Sequence, residues 1–137
     1  MRYITYDSDS VFGWDSDLGE KALAVVDSGI FDRVLSMEAE YNGGWDMQWK
    51  KTFASYAEMD ACVHSEDGEW LDEFYLSGER DGRALYIMLD SAGTAELCLP
   101  EDAEDVDLLP LLTSLGYENC KVDSRDERDG SRPYWSL

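Results

Sequence analysis

Residues 73–99 constrain the fold more than any other part of the chain. Asp81-Gly82 is a strong two-residue hairpin signal, because both positions of a type I′ turn need positive φ. Centring the turn there aligns Gly78 with Leu85, Leu76 with Ile87, and Phe74 with Leu89. Ser91-Ala92-Gly93 forms the next turn, after which Ala95, Leu97 and Leu99 fall beside Leu89, Ile87 and Leu85. The result is three antiparallel strands with one shared apolar face, and such a face needs a cover.

A second hairpin is expected upstream. Leu35 to Tyr41 alternates apolar and polar, Asn42-Gly43-Gly44 reads as a turn, and Trp45 to Lys50 alternates again. A three-residue loop sets Tyr41 opposite Trp45, Ala39 opposite Met47 and Met37 opposite Trp49 on the apolar side. The other side then pairs Glu40 with Asp46, Glu38 with Gln48 and Ser36 with Lys50.

Helices supply the cover. Leu18, Ala22, Val25 and Val26 share one face of a helix over 18–28, with Asp17 as N-cap and Gly29 as its left-handed stop. Ser55 and Glu58 have capping-box spacing, which predicts a short helix over 56–64 followed by a loop at 65–68. A third helix over about 107–115 turns Leu108, Leu111, Leu112 and Leu115 inward, with Pro110 restricted to its first turn. Tyr3–Tyr6 and Tyr117–Asp123 complete the strands. The fold class is α+β: an antiparallel sheet of six to seven strands in two hairpin or meander segments, covered by two or three short helices. Its 137 residues suit one domain. That domain is placed at 1–124, with a polar tail at 125–137 whose Pro133-Tyr134-Trp135 docks back.

Composition decides which functions are open. Asp and Glu number 31 against 11 Lys and Arg, a formal net charge of −20, so few phosphates could be neutralised and direct nucleic-acid binding is excluded. Five Trp, 8 Tyr and 4 Phe argue against a disordered acidic tail. Neither an apolar signal segment nor an 18-residue apolar run is present, so no membrane partner is expected. Cys62, Cys98 and Cys120 are odd in number and widely spaced, which points to reduced thiols in a cytoplasm.

Local chemistry is sparse. The single histidine, His64, lies at a predicted helix end without a nucleophile on its face, so no triad is assigned. No phosphate loop, dinucleotide loop, zinc-protease or EF-hand pattern occurs, and neither cofactor nor metal site is expected.

The charge itself is distributed unevenly. No Lys or Arg occurs from Ala84 to Cys120, and that stretch contains Glu101, Asp102, Glu104, Asp105 and Asp107 within seven residues. Helix-dipole interactions explain one or two of these acids, not five. In the first hairpin, Glu40 opposite Asp46 with Glu38 beside it breaks the rule against facing like charges. Carboxylates two apart on a strand are about 6.5–7 Å apart, of the same order as successive phosphates along one DNA strand.

The leading expectation is therefore a small acidic inhibitor that occupies the basic, nucleic-acid-binding surface of a nuclease, effector complex or toxin. Phage anti-CRISPR and anti-restriction proteins offer a physical analogy of DNA mimicry, although no family motif is present. The expected partner-binding residues are Glu38, Glu40, Asp46 and Trp45 on the hairpin, with Glu101, Asp102, Glu104 and Asp105 as a second patch. The alternatives are an immunity protein against a basic nuclease toxin, a carboxylate- or metal-dependent hydrolase, and an acidic host domain without a decoy role.

Overall fold

A computed structural model describes residues 1–7, 17–42, 48–104, 107–118, 121–125, 133 and 135. The strands are β1 (Arg2–Asp7), β2 (Arg33–Asn42), β3 (Gln48–Phe53), β4 (Leu71–Arg80), β5 (Arg83–Asp90), β6 (Thr94–Leu99) and β7 (Lys121–Arg125). The helices are α1 (Leu18–Asp27), α2 (Tyr56–Val63) and α3 (Leu109–Ser114), with a 3-10 turn over Glu66–Trp70 where a plain loop is expected from sequence. All seven strands form one antiparallel sheet in the order β3-β2-β4-β5-β6-β1-β7. The α+β class read from the sequence holds.

The β4-β5-β6 meander has the expected register. Gly78 faces Leu85, Leu76 faces Ile87 and Phe74 faces Leu89, while Ala95 and Leu97 face Leu89 and Ile87. Asp81 and Gly82 both have positive φ, 53° and 76°, as a type I′ turn demands. Asp90 closes the next turn, its Oδ1 accepting from the backbone N–H groups of Ala92 at 3.0 Å and Thr94 at 2.9 Å.

The first hairpin is registered differently. Tyr41 pairs with Trp49, Glu40 with Lys50 and Met37 with Phe53, a slip of four residues from the three-residue-loop pairing. An even slip preserves the two faces. It also buries Phe53 and gives Glu40 a cation opposite instead of Asp46, so the longer connection is favoured by packing and charge together. A β-bulge between Val34 and Ser36 turns Leu35 outward, where 53% of its surface is exposed.

One face of the sheet carries the core. Ile4, Tyr6, Met37, Ala39, Phe74, Leu76, Ile87, Leu89, Ala95 and Leu97 are buried there, covered by Leu18, Ala22 and Val25 of α1, Met59 of α2, and Leu108 and Leu112 at α3. Burying each large aliphatic side chain contributes roughly 1.5–3 kcal/mol, so a one-residue slip of any central strand would lose several such terms. The Ser55 hydroxyl accepts from Glu58 N–H at 3.1 Å and Glu58 reaches back to Ala54 N–H at 3.3 Å, confirming the expected cap of α2. Asp17 makes no capping side-chain bond to α1, but Gly29 does stop that helix, with φ 79°. The region after α3 is less regular than expected: Tyr117 is buried ahead of β7, not part of it. Glycine is required at Gly78, where a Cβ would lie 2.4 Å from the carbonyl oxygen of Arg33.

Candidate partner-binding face

Strand alternation sends Ser36, Glu38 and Glu40 of β2 away from the helices, together with Glu73, Tyr75 and Ser77 of β4 and Tyr86 and Asp90 of β5. Pairing then sets these residues in rows across the sheet. In one row Lys50 faces Glu40, Glu40 faces Glu73, and Glu73 faces Asp90. Asp90 holds the N–H of Thr94, and Thr94 in turn faces Asp7, whose Oδ1 accepts its hydroxyl at 3.1 Å. Four carboxylates thus cross the sheet near one end of the strands, Glu40, Glu73 and Asp90 on adjacent strands about 4.7–4.9 Å apart and Asp7 one strand further on, beyond Thr94 of β6. Among the described residues, no Lys or Arg forms an ion pair with Glu40, Glu73, Asp90 or Asp7.

The middle of this row is joined through a tyrosine hydroxyl. The Tyr75 hydroxyl lies against Glu73 and 3.2 Å from Glu40 Oε2, so it bridges two facing carboxylates. Partial burial pushes the Glu73 carboxyl up to about 7, and the neighbouring Glu40 and Asp72 push the same way against the Tyr75 hydroxyl. Burial, then Glu73 and Glu40, raise the Tyr75 phenol. Asp90 is raised by burial despite the two backbone N–H groups it accepts.

Beside this row lies a recess of about 260 Å³. Glu38, Lys50, Tyr75, Tyr86 and Trp135 line it with the Ser36–Ser77 pair, whose hydroxyls are 2.6 Å apart. The Lys50 ammonium lies 3.2 Å from Glu38 and 4.9 Å from the centroid of the Tyr75 ring. In the C-terminal segment Pro133 is buried, and Trp135 meets Tyr3 edge-on with ring centroids 5.7 Å apart.

The residues expected to bind a partner do not form one patch. Glu38 and Glu40 belong to the face just described. Trp45, Asp46 and Asp105 lie outside the described residues, and the facing pair of Glu40 with Asp46 is replaced by Glu40 with Lys50. Glu101, Asp102 and Glu104 follow β6, at the opposite end of the strands from the carboxylate row.

Glu101 and Asp102 are also matched by cations. Arg125 reaches Glu101 at 2.8 Å, the N-terminal ammonium approaches Glu101 at 3.6 Å, and Arg83 pairs with Asp102. Arg80 approaches Asp107 at 3.7 Å. The Arg83 guanidinium holds the Asp102 carboxyl below the ordinary aspartate range. Bases distant in sequence thus fold back onto Glu101, Asp102 and Asp107.

Sequence reasoning missed Glu73, Tyr75, Asp90, Asp7 and Trp135. The meander register already put Glu73 opposite Asp90, but nothing local revealed that β4 pairs with β2 and so brings Glu73 to Glu40. His64 is exposed at the end of α2, as expected, with Nε2 2.6 Å from Glu20 and Nδ1 3.0 Å from Asp60. These carboxylates raise its pKa and tie α2 to α1. Among the described residues no three His, Cys, Asp or Glu side chains converge on a metal-sized site, and no helix is long and apolar enough to cross a membrane. No family model, curated protein or solved structure matches the chain.

Proposed function

We propose that this chain is a small acidic inhibitor that docks the outer face of its sheet on a basic, nucleic-acid-binding surface of a partner protein and blocks it. The observation that carries the reading is the row Glu40–Glu73–Asp90–Asp7, built across the sheet without an ion pair to any described Lys or Arg. Charge count supports it: 11 bases can match at most 11 of the 31 acids, which leaves a surplus of 20 wherever the bases sit.

A field of that sign accelerates encounter with a basic surface and rejects acidic partners. Half-buried carboxylates on a sheet are also pre-positioned, so little side-chain entropy is lost when cations arrive. Aromatic groups beside the row, Tyr75, Tyr86 and Trp135, supply the anchors that charge alone does not provide. A decoy for a nucleic-acid channel and an immunity protein for a nuclease toxin use this same chemistry and differ only in target.

The test is affinity capture from a lysate containing nucleases, followed by competition with duplex DNA and with salt. A basic nucleic-acid-processing protein should be retained, be displaced by DNA, and associate more slowly as salt rises. Retention of no basic protein, or an association rate indifferent to salt, would remove the proposal.

A further inference from the structure

We infer that the recess formed by Glu38, Tyr75, Tyr86 and Trp135 is a receptor for one arginine side chain of the partner. This rests on the inhibitor reading above and names the chemistry that the face recognises. The strongest support is Lys50, the chain's own cation, which already uses part of that chemistry: it is ion-paired to Glu38 at 3.2 Å and lies over the Tyr75 ring at 4.9 Å. A carboxylate flanked by aromatic rings attracts a cation by charge and by the ring quadrupole together.

Size and donor chemistry favour arginine over other occupants. About 260 Å³ lies below the range of roughly 300–1,000 Å³ typical of small-molecule pockets, and it suits a single side chain. Guanidinium is planar, stacks on aromatic faces and carries five N–H donors. The recess offers acceptors for them in the Glu38 carboxylate and in the Ser36 and Ser77 hydroxyls. Ser36 and Glu38 are two apart on β2, so their side chains emerge on the same face about 6.5–7 Å apart. Glu38 stays partly accessible beside Lys50, with 29% of its side chain exposed. An incoming arginine would displace Lys50 from Glu38 and leave the Lys50 ammonium to Glu40, the residue directly across the strand pair.

The experiment uses the full chain and N-acetyl-arginine methylamide, a probe with one positive charge and no carboxylate. Binding is followed by NMR at the indole N–H of Trp135 and the rings of Tyr75 and Tyr86. A saturable shift confined to those groups is expected, with affinity about fivefold weaker in Glu38→Gln and about fivefold weaker in Tyr86→Leu. Lys50→Gln should bind the probe more tightly, because it removes the internal competitor. Circular dichroism of each variant confirms folding, and Glu38→Gln keeps the side-chain shape, so its result stands even if Tyr86→Leu unfolds. No saturable shift, equal affinity in Glu38→Gln, weaker binding in Lys50→Gln, or a response to inorganic phosphate in place of the arginine probe would each overturn the assignment. Failure here with retained, DNA-displaceable capture of a basic protein would reject only the arginine recess. Failure of capture rejects the broader reading.

Discussion

Two acidic regions of this protein behave in opposite ways. Residues 101–107 are the densest run of acid in the sequence, yet Arg83, Arg125 and Arg80 are delivered to them from β5, β7 and β4. The row Glu40–Glu73–Asp90–Asp7 is scattered over the chain, yet folding gathers it without an ion pair between any member and a described Lys or Arg, although Lys50 stands across from Glu40. Crowding along a sequence measures what could repel, whereas a sheet register decides what does. The outer face is therefore where carboxylates stand without an ion pair to a described Lys or Arg.

Function offers the sharpest way to break this contrast. Replacing Glu40 and Asp90 by Gln and Asn should weaken capture of the basic partner by about 100-fold, as for charge pairs at an electrostatically steered interface. The same neutralisation of Glu101 and Asp102 should change it by less than about threefold, since their charge is already matched by arginine. Surface plasmon resonance on both variants tests this, and equal losses would erase the distinction.

Stability should move in opposite directions in the two regions. Glu73→Gln removes a carboxylate that the fold prefers neutral, so it should stabilise the protein by roughly 1 kcal/mol at pH 8, discounted for solvent screening of a half-exposed group. Arg125→Ala strips a partner from both Glu101 and Asp123 and should destabilise by roughly 0.5–1 kcal/mol. Urea denaturation of each variant provides the comparison.

The pH dependence of the first effect has a definite sign. A carboxyl raised in the folded state binds its proton more tightly there than in the unfolded chain. The Glu73 contribution is then fully present below the ordinary glutamate value and is lost as pH rises through about 7. The benefit of Glu73→Gln should accordingly vanish near pH 4.5. The smallest effect concerns His64, whose raised pKa makes its link to Glu20 and Asp60 strongest in mildly acidic solution. His64→Gln should lower the melting temperature slightly more at pH 6 than at pH 8.

Much of the scaffold is legible in the amino-acid sequence. Asp81-Gly82 specifies a turn whose geometry few other residues tolerate, and that constraint fixes the pairing of β4 with β5, while Ser91-Ala92-Gly93 sets β6 beside them. Ser55 with Glu58 marks the start of α2 for a similarly local reason. The first hairpin was harder, because a Gly-rich connection tolerates several lengths and both alternations remain in phase after an even slip. The candidate site was half visible: Glu38 and Glu40 stood out from the alternation of β2. Their neighbours Glu73, Tyr75 and Trp135 come from strands and a terminus that only long-range pairing brings together, and no local periodicity encodes that adjacency. The arginines that pair with Glu101, Asp102 and Asp107 were hidden for the same reason.

Carboxyl-carbon NMR titration, with every Asp and Glu followed individually, compares the two regions most directly. Glu73 should titrate near 7, with Asp90 above the ordinary aspartate range. Asp102, held by Arg83, should titrate below that range. Ordinary values at Glu73 and Asp90, or an Asp102 that titrates as high as they do, would contradict a matched acidic segment and an unmatched acidic face.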